Sequence, residues 1–233
     1  MKRFWTSTSV VKEGDAFTIQ LDGKALKMPS GKPLSLPFMP LATAIAAEWR
    51  LAGGEDKIFT PDDLPLTRLA TTAQDRVEPN RDEIINQLAA YGMNDLLCYR
   101  ASDQLLAARE YESWQPWLDW AQARYGITLL LSNSIIPIDQ PADTRTALCA
   151  ILGGMSAWQL AGLGVLVPAL GSLILGLAIE AGALSPQAAA DAAHLSETWQ
   201  ESRWGADEEA ARRRELIAAD IAVSARFMIL CQP

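Results

Sequence analysis

Histidine occurs once in this chain of 233 residues, at His194, and cysteine only three times. A single histidine excludes a three-histidine metal site and obliges any Ser-His-Asp or Cys-His arrangement to use His194. Cys98, Cys149 and Cys231 are odd in number and far apart, which excludes the paired spacing of a zinc site or a redox dithiol and fits a reducing compartment. Positive charge is also scarce. Twenty Lys and Arg face 28 Asp and Glu, for a net charge of −8 and a pI near 4.7, which excludes the basic face of a nucleic-acid binder. No phosphate loop is present either. Gly162-Leu163-Gly164 opens like a dinucleotide fingerprint, but Val167 stands where the third glycine is required, so it reads as a helix terminus. Asp62 and Asp63 are adjacent on a Pro-flanked stretch and do not converge on one substrate atom; they read as a helix cap or turn. The sequence therefore carries no recognisable catalytic, cofactor or metal constellation, while a carboxylate-only hydrolase, whose acid and base can come from anywhere in a fold, stays open in principle.

Long apolar runs are limited to one. Residues 163–179, LGVLVPALGSLILGLAI, carry no charge, yet a spanning helix needs about twenty apolar residues and tolerates glycine and proline poorly at this density. The run reads instead as a central helix of a soluble domain, starting near Pro168 and apolar all round because other helices surround it. No stable membrane insertion is expected.

What is present divides the chain in two. From Phe4 to Leu36 the pattern has period two, with Phe17, Ile19 and Leu21 on one face and Thr18 and Gln20 on the other. Asp22-Gly23, Glu13-Gly14-Asp15 and Pro29-Ser30-Gly31-Lys32 are turn signals, so about four short strands fill the first forty residues. Leu41, Ile45, Glu48 and Trp49 then recur at helical spacing, as a helix covering the sheet would require. An irregular stretch with Pro61 and Pro65 leads to a short helix towards Arg76, and Val77-Glu78-Pro79-Asn80 marks a boundary. Beyond it, alanine, leucine and charged residues follow helical periodicity. Pro116 fits the first turn of a helix carrying Trp117, Ala121 and Tyr125 on one side and ending at Gly126. Residues 126–140 look extended. The last helix, from Asp207, offers Glu208 and Glu209 four residues before Arg212 and Arg213, with Ile217, Ile221, Ala225 and Met228 buried and the arginine run 212–214 solvated. The predicted fold is α+β: a small antiparallel β-rich N-terminal domain with a packed helix (residues 1–78), then a larger mainly α-helical domain (79–233).

One heptapeptide needs separate treatment. Asn94-Asp95-Leu96-Leu97-Cys98-Tyr99-Arg100 sets a thiol beside a carboxylate, a phenol and a guanidinium. A nucleophilic cysteine needs a lowered pKa, and nothing local joins Cys98 to His194. The motif reads as a structural corner, with Arg100 held by Asp95. A small enzyme using Cys98 or scattered carboxylates, and a membrane-peripheral helical adaptor, stay open on the residues alone.

Several patterns in fixed order carry a resemblance. Arg3-Phe4-Trp5, the hairpin 21–29, Ala47-Glu48-Trp49, Leu64-Pro65-Leu66-Thr67, Asp95-Leu96-Leu97-Cys98-Tyr99-Arg100 and Trp199-Gln200-Glu201-Ser202-Arg203-Trp204-Gly205 together resemble the assembly chaperones that hold the α subunit of the F-type ATP synthase head in mitochondria and α-proteobacteria, the ATP-twelve family. Met28 and Ser196 depart from that pattern. The resemblance implies a monomeric chaperone that binds the unassembled ATP synthase α subunit and shields its apolar surface until the β subunit replaces it. It implies no catalysis, and work in a bacterial cytoplasm, or in the mitochondrial matrix for a processed organellar form. The start MKRFWTSTSV, which enters the strand pattern without a signal peptide's apolar core, agrees. Trp49, Glu197, Trp199, Glu201 and Trp204 are the candidate partner-binding residues, since aromatic anchors with a polar rim suit an exchangeable interface.

Overall fold

Two turns organise the start of the chain. In the computed structural model, which describes residues 1–134, 136–205 and 207–232, β1 (Thr8–Glu13) and β2 (Ala16–Leu21) pair antiparallel from Thr8↔Leu21 to Glu13↔Ala16. The next turn has φ of 49° at Asp22 and 78° at Gly23. Positive φ at both central residues is what the primed two-residue hairpin demands. It feeds β3 (Lys24–Ala25), while β4 (Ser35–Leu36) joins β2 in the register Phe17↔Leu36. The Asp22 carboxylate accepts the backbone N–H groups of Thr6 and Ser7 and both hydroxyls, and the Ser7 and Thr6 backbone bonds hold its pKa down at about 2. Helix α1 (Met39–Leu51) lies against β1 and β2 and buries Leu41, Ala42, Ile45 and Ala46. The four-stranded sheet and its covering helix are as the period-two and helical patterns require.

By internal contacts the chain falls into two units, Met1–Arg81 with Ser156–Gly162 and Arg226–Pro233, and Asp82–Met155 with Leu163–Ala225. In the first unit, a 3-10 turn over Pro61–Asp63 leads into α2 (Pro65–Thr72) and then a π turn over Ala73–Val77. Asp63 closes a capping box with Thr60 and Asp62 pairs with Arg68, so this carboxylate pair is a cap and a turn. Phe38, Trp158 and Phe227 form an aromatic series in the same unit, with ring centroids 5.8 and 6.1 Å apart.

Most of the rest is helical: α3 (Arg81–Met93), α4 (Gln104–Tyr125), α5 (Ala142–Gly153), α6 (Ala157–Leu170), α7 (Leu173–Glu180), α8 (Pro186–Ala193), α9 (Leu195–Trp204) and α10 (Glu208–Leu230). The charge-free run is not one helix from Pro168. Pro168 lies inside α6, Gly171 breaks the chain at φ 63°, and Ser172 caps α7, which buries every residue from Leu173 to Ile179. Gly162-Leu163-Gly164 is correspondingly helix interior, not a terminus. Among the described residues no helix is long and apolar enough to cross a membrane.

Pro116 also proves internal. Helix α4 starts twelve residues earlier, where the Asp103 carboxylate accepts from the N–H groups of Leu105 and Leu106. A side-chain cap outweighs the preference of proline for a first turn, and Pro116 is tolerated because it and Glu112, whose carbonyl loses its partner, both face solvent. The buried stripe is Leu106, Glu110, Trp114, Leu118 and Ala121, so Trp117 and Tyr125 lie at its edge. Gly126 ends the helix with φ 71°. On α10 Ile221, Ala225 and Met228 are buried as expected, with Ile217 half-buried.

Candidate partner-binding surface

The heptapeptide forms a corner. Asp95 is fully buried and caps two elements: Oδ1 accepts from the Leu97 N–H at 3.0 Å at the 3-10 turn Leu96–Cys98, and Oδ2 from the Ile174 N–H at 3.1 Å at the start of α7. Burial pushes its carboxyl up to about 6, against the downward pull of the Ser172 hydroxyl and the backbone N–H groups. Asp95 therefore does not hold Arg100. The Arg100 guanidinium donates to the carbonyls of Leu97 and Tyr99 and lies 5.3 Å from the Trp114 ring, because both Asp95 oxygens are already engaged by backbone donors. Cys98 is buried, accepts from Gln140 Nε2 at 3.5 Å, and has its thiol pushed up to about 12 by burial and by Asp95. Tyr99 bridges to Ser132, and its hydroxyl accepts the Ile138 N–H. The corner thus ties Ser132, Ile138 and Gln140 to the 3-10 turn; among the described residues of 126–140, expected to be extended, the strand-like pairing is the isolated Ser132 bridge to Tyr99. A thiol so protonated is a poor nucleophile.

The aromatic candidates divide. Trp49 sits at the end of α1, its ring 5.0 Å from Trp5 and its Nε1 donating to the Thr67 hydroxyl. Its carbonyl accepts from Trp5 Nε1. Trp199 is buried in α9 under the Arg203 guanidinium, 4.7 Å away. Trp204, edge-on to Trp199 at 6.2 Å, is 76 % exposed. An aromatic side chain held against a buried one and left open to water is the geometry of an anchor.

The acidic candidates meet the arginine run. Glu201 accepts two bonds from Arg214, at 2.7 and 2.6 Å, and Glu197 pairs with Arg213 at 3.1 Å and Arg214 at 3.4 Å. The Arg214 side chain is only 15 % exposed. Arg212 and Arg213 are solvent-exposed, as expected of a solvated arginine face, although Arg213 pairs with Glu197; Arg214 departs from it, because its planar guanidinium fits a carboxylate bidentately and α9 supplies one. Glu197, Gln200, Glu201, Trp204, Arg213 and Arg214 line a shallow groove of about 310 Å³. One turn earlier on α9, the Ser196 hydroxyl donates to buried Glu110, which also accepts the Ala101 N–H.

Glu48, Glu110 and Arg214 were not singled out from sequence as structural ties. Glu48 caps α2 through the N–H groups of Leu66 and Thr67. Each partner lies 9 to 86 residues away, so helical spacing does not report it; only the Pro65 start of α2, needing a cap acceptor, is a local signal.

Comparison with known proteins agrees with this architecture. The model of the ATP12 chaperone protein family matches residues 2–122. Mitochondrial protein atp12 of Schizosaccharomyces pombe is 30 % identical over 222 residues, covering 90 % of this chain and 75 % of the relative. The crystal structure of Atp12 from Paracoccus denitrificans superposes with a TM-score of 0.93 at 35 % identity, over 99 % of this chain and 98 % of that one. A crystal structure from Agrobacterium tumefaciens gives 0.92 at 33 % identity, covering 99 % and 86 %. With a family match over more than half its length and a relative aligned along nine-tenths of it, this chain belongs to the ATP12 chaperone family.

Proposed function

We propose that this chaperone of ATP synthase assembly binds the unassembled α subunit, as a monomer, and covers an apolar surface of it until the β subunit takes its place. The observation that carries the reading is Trp204, exposed at the end of α9 and braced by Trp199 beside the Glu197–Glu201–Arg213–Arg214 groove. An exchangeable interface needs an apolar anchor with a polar rim rather than a broad apolar face, and this cluster has that composition. Residues 79–233 would then supply the contact surface. Such a hand-over needs neither nucleotide nor nucleophile, in keeping with a Cys98 thiol held protonated by burial. The place of work would be that of the α subunit, a bacterial cytoplasm or a mitochondrial matrix. The test is size-exclusion chromatography with light scattering on a mixture of this protein and purified α subunit, followed by addition of β subunit. A one-to-one complex that β subunit dissolves is the expected outcome; co-elution with β subunit alone would overturn the assignment.

A further inference from the structure

A second surface, in the β-rich unit, has the make-up of a peptide-docking groove and lies outside the α9 cluster. Its volume is about 800 Å³, and it is lined by the end of α1, the loop after it and the start of α2: Leu51, Glu55, Asp56, Ile58, Asp63 and, on the far wall, Arg226. Two features are unusual together. Leu51 and Ile58 are aliphatic side chains left 72 % and 68 % exposed; single large apolar residues on a surface are ordinary, but these two line the same groove. The charged residues that line the groove are mostly acidic, four carboxylates to one guanidinium, with Lys57 beside Asp56 in the same loop. Glu55 and Asp56 are solvent-exposed. Asp63 also lines the groove and accepts from Thr60. Glu48 lines the inner wall, with both oxygens occupied by α2 N–H groups. Burial raises its pKa, against the pull of those bonds and of Arg226. Among the described residues, Glu55 and Asp56 are thus the lining carboxylates left without a side-chain hydrogen bond, beside Leu51 and Ile58 in the same lining.

The shape of the groove is fixed rather than incidental. The loop between α1 and Ile58 is held by two left-handed glycines, Gly53 at φ 83° and Gly54 at φ 46°, and a Cβ on Gly53 would lie 2.8 Å from the Lys57 backbone. Ile58 and its neighbours are tied to the N-terminus, where Lys2 bridges Ile58 and the Met1 carbonyl accepts the Phe59 N–H at 2.9 Å. Ile58 is therefore presented by a braced loop.

From the juxtaposition of exposed Leu51 and Ile58 with the Glu55, Asp56 and Asp63 carboxylates in one braced groove, we propose that the β-rich unit docks a polypeptide segment in which lysine or arginine alternates with aliphatic residues. Leu51 and Ile58 account for the aliphatic side chains and the carboxylates for the cations; charge complementarity of this kind sets orientation and encounter rate more than raw affinity. The inference is independent of which ATP synthase subunit the α9 cluster binds, because the groove is argued from its own residues and tested without any subunit.

The probe is a fluorescein-labelled peptide, LKLKLKLKLK, measured by anisotropy against the full chain at low and moderate salt. Two control peptides carry serine for leucine or glutamate for lysine. The docking groove predicts that the parent peptide binds at least tenfold more tightly than either control. It also predicts that Glu55→Lys with Asp56→Lys weakens binding at least tenfold while leaving the thermal melt unchanged. A second pair, Glu112→Lys with Asp220→Lys, makes the same change in net charge outside the groove and should leave affinity within twofold. Leu51→Ser with Ile58→Ser should weaken the parent peptide and not the serine control. If both charge pairs weaken binding equally, the peptide follows the overall negative charge and the proposal fails. If the serine peptide binds as well as the parent, the groove only collects cations, and the proposal fails again. Concentration-dependent self-association that the groove variants abolish would assign the surface to a second copy of this chain instead.

Discussion

At the scale of single residues the heptapeptide shows how chemistry that looks reactive is disarmed by its surroundings. Cys98 is fully buried with its thiol pushed up to about 12, and Cys231 is in the same position. Neither should react with iodoacetamide at neutral pH in the folded protein, whereas both should be labelled once it is unfolded, which mass spectrometry resolves site by site. Cys98→Ser should retain partner binding and cost about 1 kcal/mol, since the new hydroxyl is buried but keeps Gln140 as a neighbour. Loss of binding with an unchanged melt would restore a chemical role to the thiol. Asp95 gives a pH dependence of definite sign. Its folded pKa is raised from 3.8 to about 6, so between those values the folded state holds more protons than the unfolded one. Its contribution to stability is complete below about pH 3.8 and is lost as pH rises through about 6. Asp95→Asn should flatten that part of the stability profile in denaturant titrations. It should also destabilise, because an amide presents one oxygen and an N–H₂ group to a site built of N–H donors, and by an amount that shrinks as pH rises through about 6, where the carboxyl group of the unaltered protein loses its own advantage. An unaltered profile would locate the pH dependence elsewhere.

At the scale of elements, the closeness of α7 to its neighbours is set by glycines. A Cβ on Gly92, in α3, would lie 2.6 Å from Leu148 of α5 and 3.0 Å from Leu173 of α7, and one on Gly176 would lie 3.1 Å from Val167 of α6. Gly92→Ala should therefore destabilise by roughly 1–3 kcal/mol despite the better helix propensity of alanine, because buried leucine ends must move off their rotamers. Calorimetry showing a gain would mean that they relax freely. Leu175→Asp sets an unpaired carboxylate within the fully buried α7 and should abolish cooperative unfolding of its unit altogether. The elements themselves were legible where a local rule governs them. The Asp22-Gly23 hairpin, the Gly126 stop and the α1 stripe each depend on residues within one or two turns. The failures have a common cause. Pro116 and Pro168 were read as helix starts because proline suits a first turn, but the decisive signals were the caps at Asp103 and Ser172, which compete with it. Asp95 and Arg100 are near in sequence, yet Asp95 binds the local Leu97 N–H with one oxygen and, with the other, the Ile174 N–H of α7, 79 residues on. Nothing in the spacing of NDLLCYR encodes that distance.

At the scale of the molecule, the question is which groups of the α9 cluster hold the chaperone together and which are left for a partner. Arg214 is largely covered and doubly bonded to Glu201, whereas Glu197 keeps 44 % of its side chain exposed and Trp204 is exposed almost entirely. Three variants separate the roles. Trp204→Ala removes an exposed ring that meets buried Trp199 only edge-on and should leave the melting temperature within about 2 °C. It should weaken binding to the α subunit by roughly 10- to 100-fold, the range of an aromatic hot spot. Arg214→Gln breaks the bidentate tie between α9 and α10 and should lower the melt by a few degrees, with binding falling only as far as the loosened helix displaces Trp204. Glu197→Lys sets a third cation beside Arg213 and Arg214; exposed pairs are worth less than about 1 kcal/mol, so the fold should survive. Its effect on binding should fade as salt is raised, whereas that of Trp204→Ala should persist, because screening weakens charge contacts and spares apolar ones. Isothermal titration at two ionic strengths reads all three. If Trp204→Ala binds the α subunit as the unaltered protein does, the end of α9 is not the contact surface, whatever the charge variants show.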